Sequence, residues 1–427
     1  MHDKNELMRI IPEMKFGEEL MECLAEFPPY DSAIRGKSST ERLMALSDIY
    51  DIYIPSQMSA EIYHKLYMGL VRSLQKKRTL QAVRQQYENK RGTHGNTGII
   101  GGSDSFTIIG ASGIGKSSAL FRSLHLISKK EVIETENPYC KIAPCIIVQC
   151  PFDSSVKGLM LEILRKVDEV LESSYYKNAL RARASTDMLI GSVSQVALNH
   201  IGLLVVDEIQ NVVNSRNGKA LVGMLTQLIN NSGISICMVG TPESIPFFEQ
   251  AMQLARRSLG LQYEAMGFGR EFYDTCSILF RYQYTKQVLE LTDEVLEWLF
   301  EHCGGNISVL VALLHDAQET VILSGRDIFD RQALEAAYKK RMSMLHDYLE
   351  PSIQRKKQFS DRRKTETKPD ERKEKAAEKN EEFMYMCEGG QEESIPCLTE
   401  LVKKAKEDGK DIVGVLKSCF CVEEVSV

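Results

Sequence analysis

The sequence predicts an α/β fold whose largely parallel sheet carries a phosphate-binding loop at its carboxyl edge, and three stretches carry that prediction. GASGIGKSS, residues 110–118, follows the apolar run FTIIG and precedes ALFRSLHLI, which has helical spacing. GLLVVDEIQN, residues 202–211, runs four apolar residues into two acids, and ISICMVGTPE, residues 234–243, is a further apolar run with a polar tip. Continuous apolar runs of this length suit strands buried on both faces. Helix-like segments such as KALVGMLTQLINN lie between them. Alternating strands and helices imply parallel pairing, with the ligand at the strands' carboxyl ends.

Residues 1 to about 95 read as a helical extension with turn signals at FPPYDS and IPS, and HGNTGIIGGSDS (94–105) is a glycine-rich connector into the first core strand. The loop fits G-x-x-x-x-G-K-[ST]: Gly110, then Ala111, Ser112, Gly113 and Ile114, then Gly115, Lys116 and Ser117, with Ser118 following. Its glycines let backbone N–H groups face a phosphate chain, and the helix starting near Lys116 points its positive end at the same anion. Lys116 is expected to reach the β and γ phosphates of a nucleotide, and the Ser117 hydroxyl to hold Mg²⁺. A further apolar strand, KIAPCIIVQC, occupies residues 141–150.

Asp207, ending the next strand, completes the magnesium shell, and Glu208 is placed to polarise an attacking water. A pure binder or switch has little need of that second carboxylate, so the pair argues for hydrolysis. Thr241 stands at the tip of the third run, where two readings stay open: sensing of the γ-phosphate, or capping of the helix after Pro242. SIPFFEQAMQLARRSLG (244–260) is predicted as a helix ending on Arg256 and Arg257. The core thus spans 96–260, a small helical lid 261–350, and a charged tail with a possible partner-binding element 351–427. In the lid, TDEVLEWLFEHCG is a helix that Thr292 caps and Gly304 stops.

At 427 residues and 43% hydrophobic content the chain supports two or three domains with a substantial core. Its eleven cysteines show no C-x-x-C pair and no histidine partners, and no secretory leader is read; free thiols in a reducing cytoplasm are expected. No apolar run reaches the ~20 residues of a membrane span. The net charge of −6 does not favour nucleic acid, but binding needs only a local basic face. Two segments offer one: RSLQKKRTLQAVRQQYENKR (72–91), and YYKNALRARAS (175–185) with Lys177, Arg181 and Arg183. The first also reads as a solvated basic helix, or as one touching an acidic neighbouring subunit.

GASGIGKS, LLVVDEIQN and ICMVGTPES together resemble the AAA+ ATPases of the TniB/TnsC family, regulators of DNA transposition. DIYIPSQMSAEIYHKLYMGLVRSL resembles the segment such proteins carry before the ATPase core, and RYQYT (281–285) resembles the start of their lid. The resemblance covers roughly residues 45–345. It implies ATP and Mg²⁺ as ligands, a homo-oligomeric ring or helical filament on duplex DNA, and recruitment and activation of a transposase. It also implies loading by a TniQ-type targeting protein, and a trans-acting arginine at Arg256 or Arg257. The lid departs from a common AAA+ pattern: after CGG it carries Asn306, Ile307 and Ser308 where many relatives place a nucleotide-sensing arginine. A signalling ATPase of the STAND or initiator type, and a protein-remodelling AAA+ ATPase, are the alternatives.

Overall fold

The computed structural model describes residues 11–91, 100, 105–136, 139–212, 218–250 and 258–342. All of them fall in one compact unit, Met1–Arg355; the expected tail, 351–427, lies outside the described residues. Helices α1 (Gly17–Leu24), α2 (Ser39–Leu46), α3 (Gln57–Lys77) and α4 (Leu80–Arg91) precede strand β1 (Ser105–Gly110). Next come α5 (Lys116–Ile127), β2 (Ile133–Glu136), β3 (Tyr139–Gln149), α6 (Val156–Leu171), α7 (Tyr175–Arg181) and α8 (Thr186–His200). Strand β4 (Ile201–Asp207), α9 (Gly218–Ser232), β5 (Ser235–Gly240), α10 (Ile245–Gln250) and β6 (Ser258–Tyr263) complete the core. Helices α11 (Arg270–Leu279), α12 (Asp293–Cys303), α13 (Ile307–Leu323) and α14 (Arg331–Ala337) follow.

The six strands lie in the order β2-β3-β4-β5-β1-β6. Among the described strands of this sheet, only the β2–β3 pairing is antiparallel; β1 runs parallel to β5 and β6, and β4 parallel to β3 and β5. Because side chains alternate across a strand, the apolar runs feed two cores. Leu204 and Val206 of β4, with Ile236 and Met238 of β5, pack under α6, α8 and α9. Leu203, Val205, Cys237 and Val239 point the other way, against α3 and α5.

The N-terminal segment is therefore a layer of the core. Ile62, Leu66 and Leu70 of α3 are buried on the sheet, each contributing about 1.5–3 kcal/mol of burial, and Ser235 Oγ donates to the Gly69 carbonyl at 2.8 Å. Lys77 ends the helix fully buried, its Nζ donating to the carbonyls of Ala197 and Leu198 at 2.5 and 2.6 Å. The basic stretch 72–91 is accordingly not one solvated stripe: Lys77 satisfies the carboxyl end of α8, while Arg72 and Arg84 are exposed.

One expectation fails at the end of the core. The predicted helix 244–260 stops short, because Ser258–Tyr263 is a strand paired along all of β1, from Ser105↔Ser258 to Gly110↔Tyr263. A short run such as SLGLQY fits either period, and the open edge of β1 decides it by offering a row of unpaired backbone groups. The boundary expected at residue 260 thus falls inside β6.

The lid packs its own core, with Phe272, Trp298, Leu299, Leu313 and Leu334 buried. As expected, the Thr292 side chain accepts from Val295 N–H and Gly304 ends α12 in the left-handed region. Residues around α2 tie this lid to the N-terminus. Leu46 and Ile49 pack on Tyr282, Tyr284 and Ile322, and the buried Arg42 guanidinium pairs with Asp327 and donates to the Tyr284 carbonyl at 3.2 Å. The described cysteines form no disulfide. Among the described residues, no single helix is long and apolar enough to cross a membrane.

Candidate functional site

The carboxyl ends of β1, β4 and β5 open into a cavity of about 830 Å³ lined by Ser112–Ser118, Asp207, Glu208, Gln210 and Thr241. The loop is held open by Gly113 and Gly115, at φ +81° and +95°, a region that costs other residues about 1–2 kcal/mol. Gly115 is the N-cap of α5, so the helix amides face the cavity. Gly110 and Ala111 enter through their carbonyls, which accept from Lys116 Nζ at 2.6 and 2.7 Å. Burial lowers the Lys116 pKa from its ordinary value, while Asp207, Glu208 and Glu243 oppose that shift. A phosphate chain entering here meets an ammonium already aimed by the loop.

Ser117 and Asp207 line the same cavity and supply a hydroxyl and a carboxylate, the hard oxygen donors that Mg²⁺ prefers. Asp207 Oδ1 also accepts from Glu208 N–H at 2.8 Å. Glu208 is exposed and adopts φ +57°, a strained setting that swings its carboxylate out of the strand line. The turn beyond it is pinned: Ile209 is fully buried, Asn211 Nδ2 donates to the Cys150 carbonyl at 3.0 Å, and Ser154 Oγ donates to the Asn211 carbonyl at 2.9 Å.

Thr241 occupies an N-cap position, yet its side chain makes no capping hydrogen bond; Ser244 Oγ instead donates to the Thr241 carbonyl at 2.6 Å. The capping alternative is therefore not realised in this geometry. Its backbone N–H donates to Gln210 Oε1 at 3.3 Å.

The lid meets the loop directly. Asn306 caps α13 by accepting from Ser308 and Val309 N–H at 3.1 and 3.3 Å, and its Nδ2 donates to the Ser112 carbonyl at 2.7 Å. Ser308 N–H donates to the Gly113 carbonyl at 3.0 Å, and a Cβ at Gly113 would lie 2.6 Å from Asn306 Oδ1. The residues standing where an arginine was expected thus touch the loop by backbone and amide.

Two contributions escaped the sequence reading. Gln210 lies within DEIQN, but its role needs the β4–β5 pairing. Tyr53, Ile54, Gln57, Met58 and Glu61 wall the cavity from the N-terminal side, and Tyr263 OH donates to Glu61 Oε2 at 2.8 Å. DIYIPSQ was visible as a segment, though not as a wall. Arg256 and Arg257 lie outside the described residues. Lys177, Arg181 and Arg183 are all exposed on α7 and the turn after it, away from the cavity lining. Asp168 anchors the start of that helix by accepting from Tyr175 and Tyr176 N–H at 2.8 and 3.0 Å.

The family model for bacterial TniB protein matches residues 102–263, the stretch from just before β1 through β6. No curated protein matches the chain in sequence. Among solved structures, it is similar to the Aeropyrum pernix Orc1 protein in complex with DNA, at 14% identity and a TM-score of 0.39; the alignment covers 61% of this chain and 64% of that one. Drosophila ORC bound to DNA aligns at 13% identity and a TM-score of 0.42, covering 77% of this chain and 69% of that one. Cdc6p from Pyrobaculum aerophilum aligns at 11% identity and a TM-score of 0.38, over 60% and 65% of the two chains. With TM-scores this low, the order and direction of the strands around the loop remain the ground for the fold class.

Proposed function

We propose that this chain, a member of the TniB/TnsC-type AAA+ ATPase family through residues 102–263, binds and hydrolyses ATP with Mg²⁺ and assembles on duplex DNA to mark a transposition target. The observation that carries this reading is the convergence of Lys116, Asp207, Glu208 and Thr241 on one cavity at the sheet's carboxyl edge. Lys116 exchanges loop carbonyls for phosphate oxygens, and Ser117 with Asp207 would hold a magnesium ion, which would neutralise charge on the transferring phosphoryl group. Glu208 accepts a proton from water as the water oxygen bonds the γ-phosphorus. The bond to the bridging oxygen breaks, and its electron pair leaves with ADP. Thr241 orients that water or the γ-phosphate.

The oligomer is a ring or helical filament in which Arg256 or Arg257 of a neighbour faces the γ-phosphate, since a planar cation best meets the charge developing there. Lys177, Arg181 and Arg183 contact the DNA backbone; transposase and a TniQ-type protein are the partners. Lys116→Ala should lose ATP affinity, and Glu208→Gln should bind ATP yet hydrolyse it far more slowly. Binding to unrelated duplexes should require ATP or a slow analogue and weaken with salt on a log–log slope of several units. Reversing charge at Lys177, Arg181 and Arg183 should flatten that slope without unfolding, because all three are exposed. An ATP-bound protein that ignores duplex DNA at low salt ends the transposition reading in favour of a protein-directed ATPase.

A further inference from the structure

Between the water-activating carboxylate and the tip of β5 lies one side chain that both touch. The Gln210 carboxamide donates from Nε2 to Glu208 Oε2 and accepts at Oε1 from Thr241 N–H at 3.3 Å. Each end has one compatible partner. Turned over, the amide would set its oxygen against a carboxylate and its NH₂ against an N–H, two repulsive contacts in place of two bonds. The side chain crosses the strand where β5 carries Gly240, and a Cβ there would stand 3.0 Å from Gln210 Oε1 and 2.7 Å from Ile209 Cγ2. Below it, buried Ile209 fixes the backbone from which Gln210 projects.

We infer that Gln210 is a positioning residue for hydrolysis, tying the aim of the Glu208 carboxylate to the position of Thr241. It rests on the reading of Glu208 as the group that activates water. With Oε2 held by the amide, Oε1 is the oxygen presented to water, and its direction is set by a contact registered on the neighbouring strand. Glu208 alone lacks that restraint, being exposed and mounted on a left-handed residue. A shift of Thr241 on engaging a γ-phosphate is passed through a rigid, planar amide. Besides Glu208, the loop's Lys116 feels Asp207 and Glu243. None of them makes this bridge.

The test is a double-mutant cycle on the full chain, read as kcat and KM for ATP. Gln210→Ala should lower kcat on the order of tenfold, the scale of a modest misalignment, and leave KM within about twofold. In a Glu208→Gln background the same change should cost nothing further, which a merely structural role would not predict. Gln210→Met, which keeps the volume and lacks both polar ends, carries the same cycle if the alanine variant does not fold. An inactive Glu208→Gln beside a Gln210→Ala of unchanged kcat would overturn this inference alone, as would an equal loss in both backgrounds. A Glu208→Gln protein hydrolysing at the wild-type rate would overturn the assignment of Glu208 as well.

Discussion

Asn306 performs two separable tasks, and Asn306→Asp and Asn306→Ala pull them apart. Its Oδ1 caps α13, and its Nδ2 holds the Ser112 carbonyl of the phosphate loop. Alanine removes both: about 1 kcal/mol for the cap, and somewhat less for the bond because it is solvent-exposed. The lid should then melt a few degrees earlier, at roughly 2–4 °C per kcal/mol for a unit of this size. Aspartate caps as well as asparagine, so it should keep the cap's ~1 kcal/mol and lose only the weaker bond to Ser112. It cannot donate to Ser112, however, and it sets a negative charge beside Gly113. A like charge beside a phosphate-holding loop, at an effective dielectric of ~20, costs on the order of 1–2 kcal/mol, or roughly tenfold in affinity. Titration with a fluorescent ATP analogue, beside thermal unfolding of the same samples, reads the two effects separately. Aspartate protein that binds ATP within twofold of wild type would refute the claim that this lid residue adjoins the phosphates, and unchanged melting of the alanine variant would refute the cap.

Arg42→Met should cost about 3 kcal/mol in urea unfolding, the low end for breaking a buried pair, because Lys286 still stands 3.4 Å from Asp327. The bond from Arg42 holds Asp327 below the ordinary carboxylate range, so its stabilisation is present above about pH 4 and lost as pH falls through the depressed value; the variant should lack most of that acid-side loss. Lys77 gives a pH slope of the same sign, in a higher window. Burial drives it down to about 7 from 10.5, so the unfolded chain binds that proton more tightly and stability should climb with pH between those values. The slope is at most ~1.4 kcal/mol per pH unit, and Lys77→Met should abolish it in denaturant titrations at pH 7, 8 and 9.

What the sequence determined by itself was local and periodic. GASGIGKSS specifies a turn only glycines take easily, and continuous apolar runs specify strands buried on both faces, so the loop, Asp207 and Glu208 were legible from spacing alone. Thr292 and Gly304 were legible as helix punctuation for the same reason. Other features depend on partners far apart in the chain. SLGLQY is a strand because β1 offers it an edge, and Lys77 is structural because the end of α8 lies beneath it. Asn306 touches the loop because the lid folds back across 194 residues, and Gln210 bridges Glu208 to Thr241 because β4 and β5 are neighbours. A residue's period along the chain reveals which face it lies on, but a hydrogen-bond partner on another element is set by how the layers pack, and no local pattern encodes that.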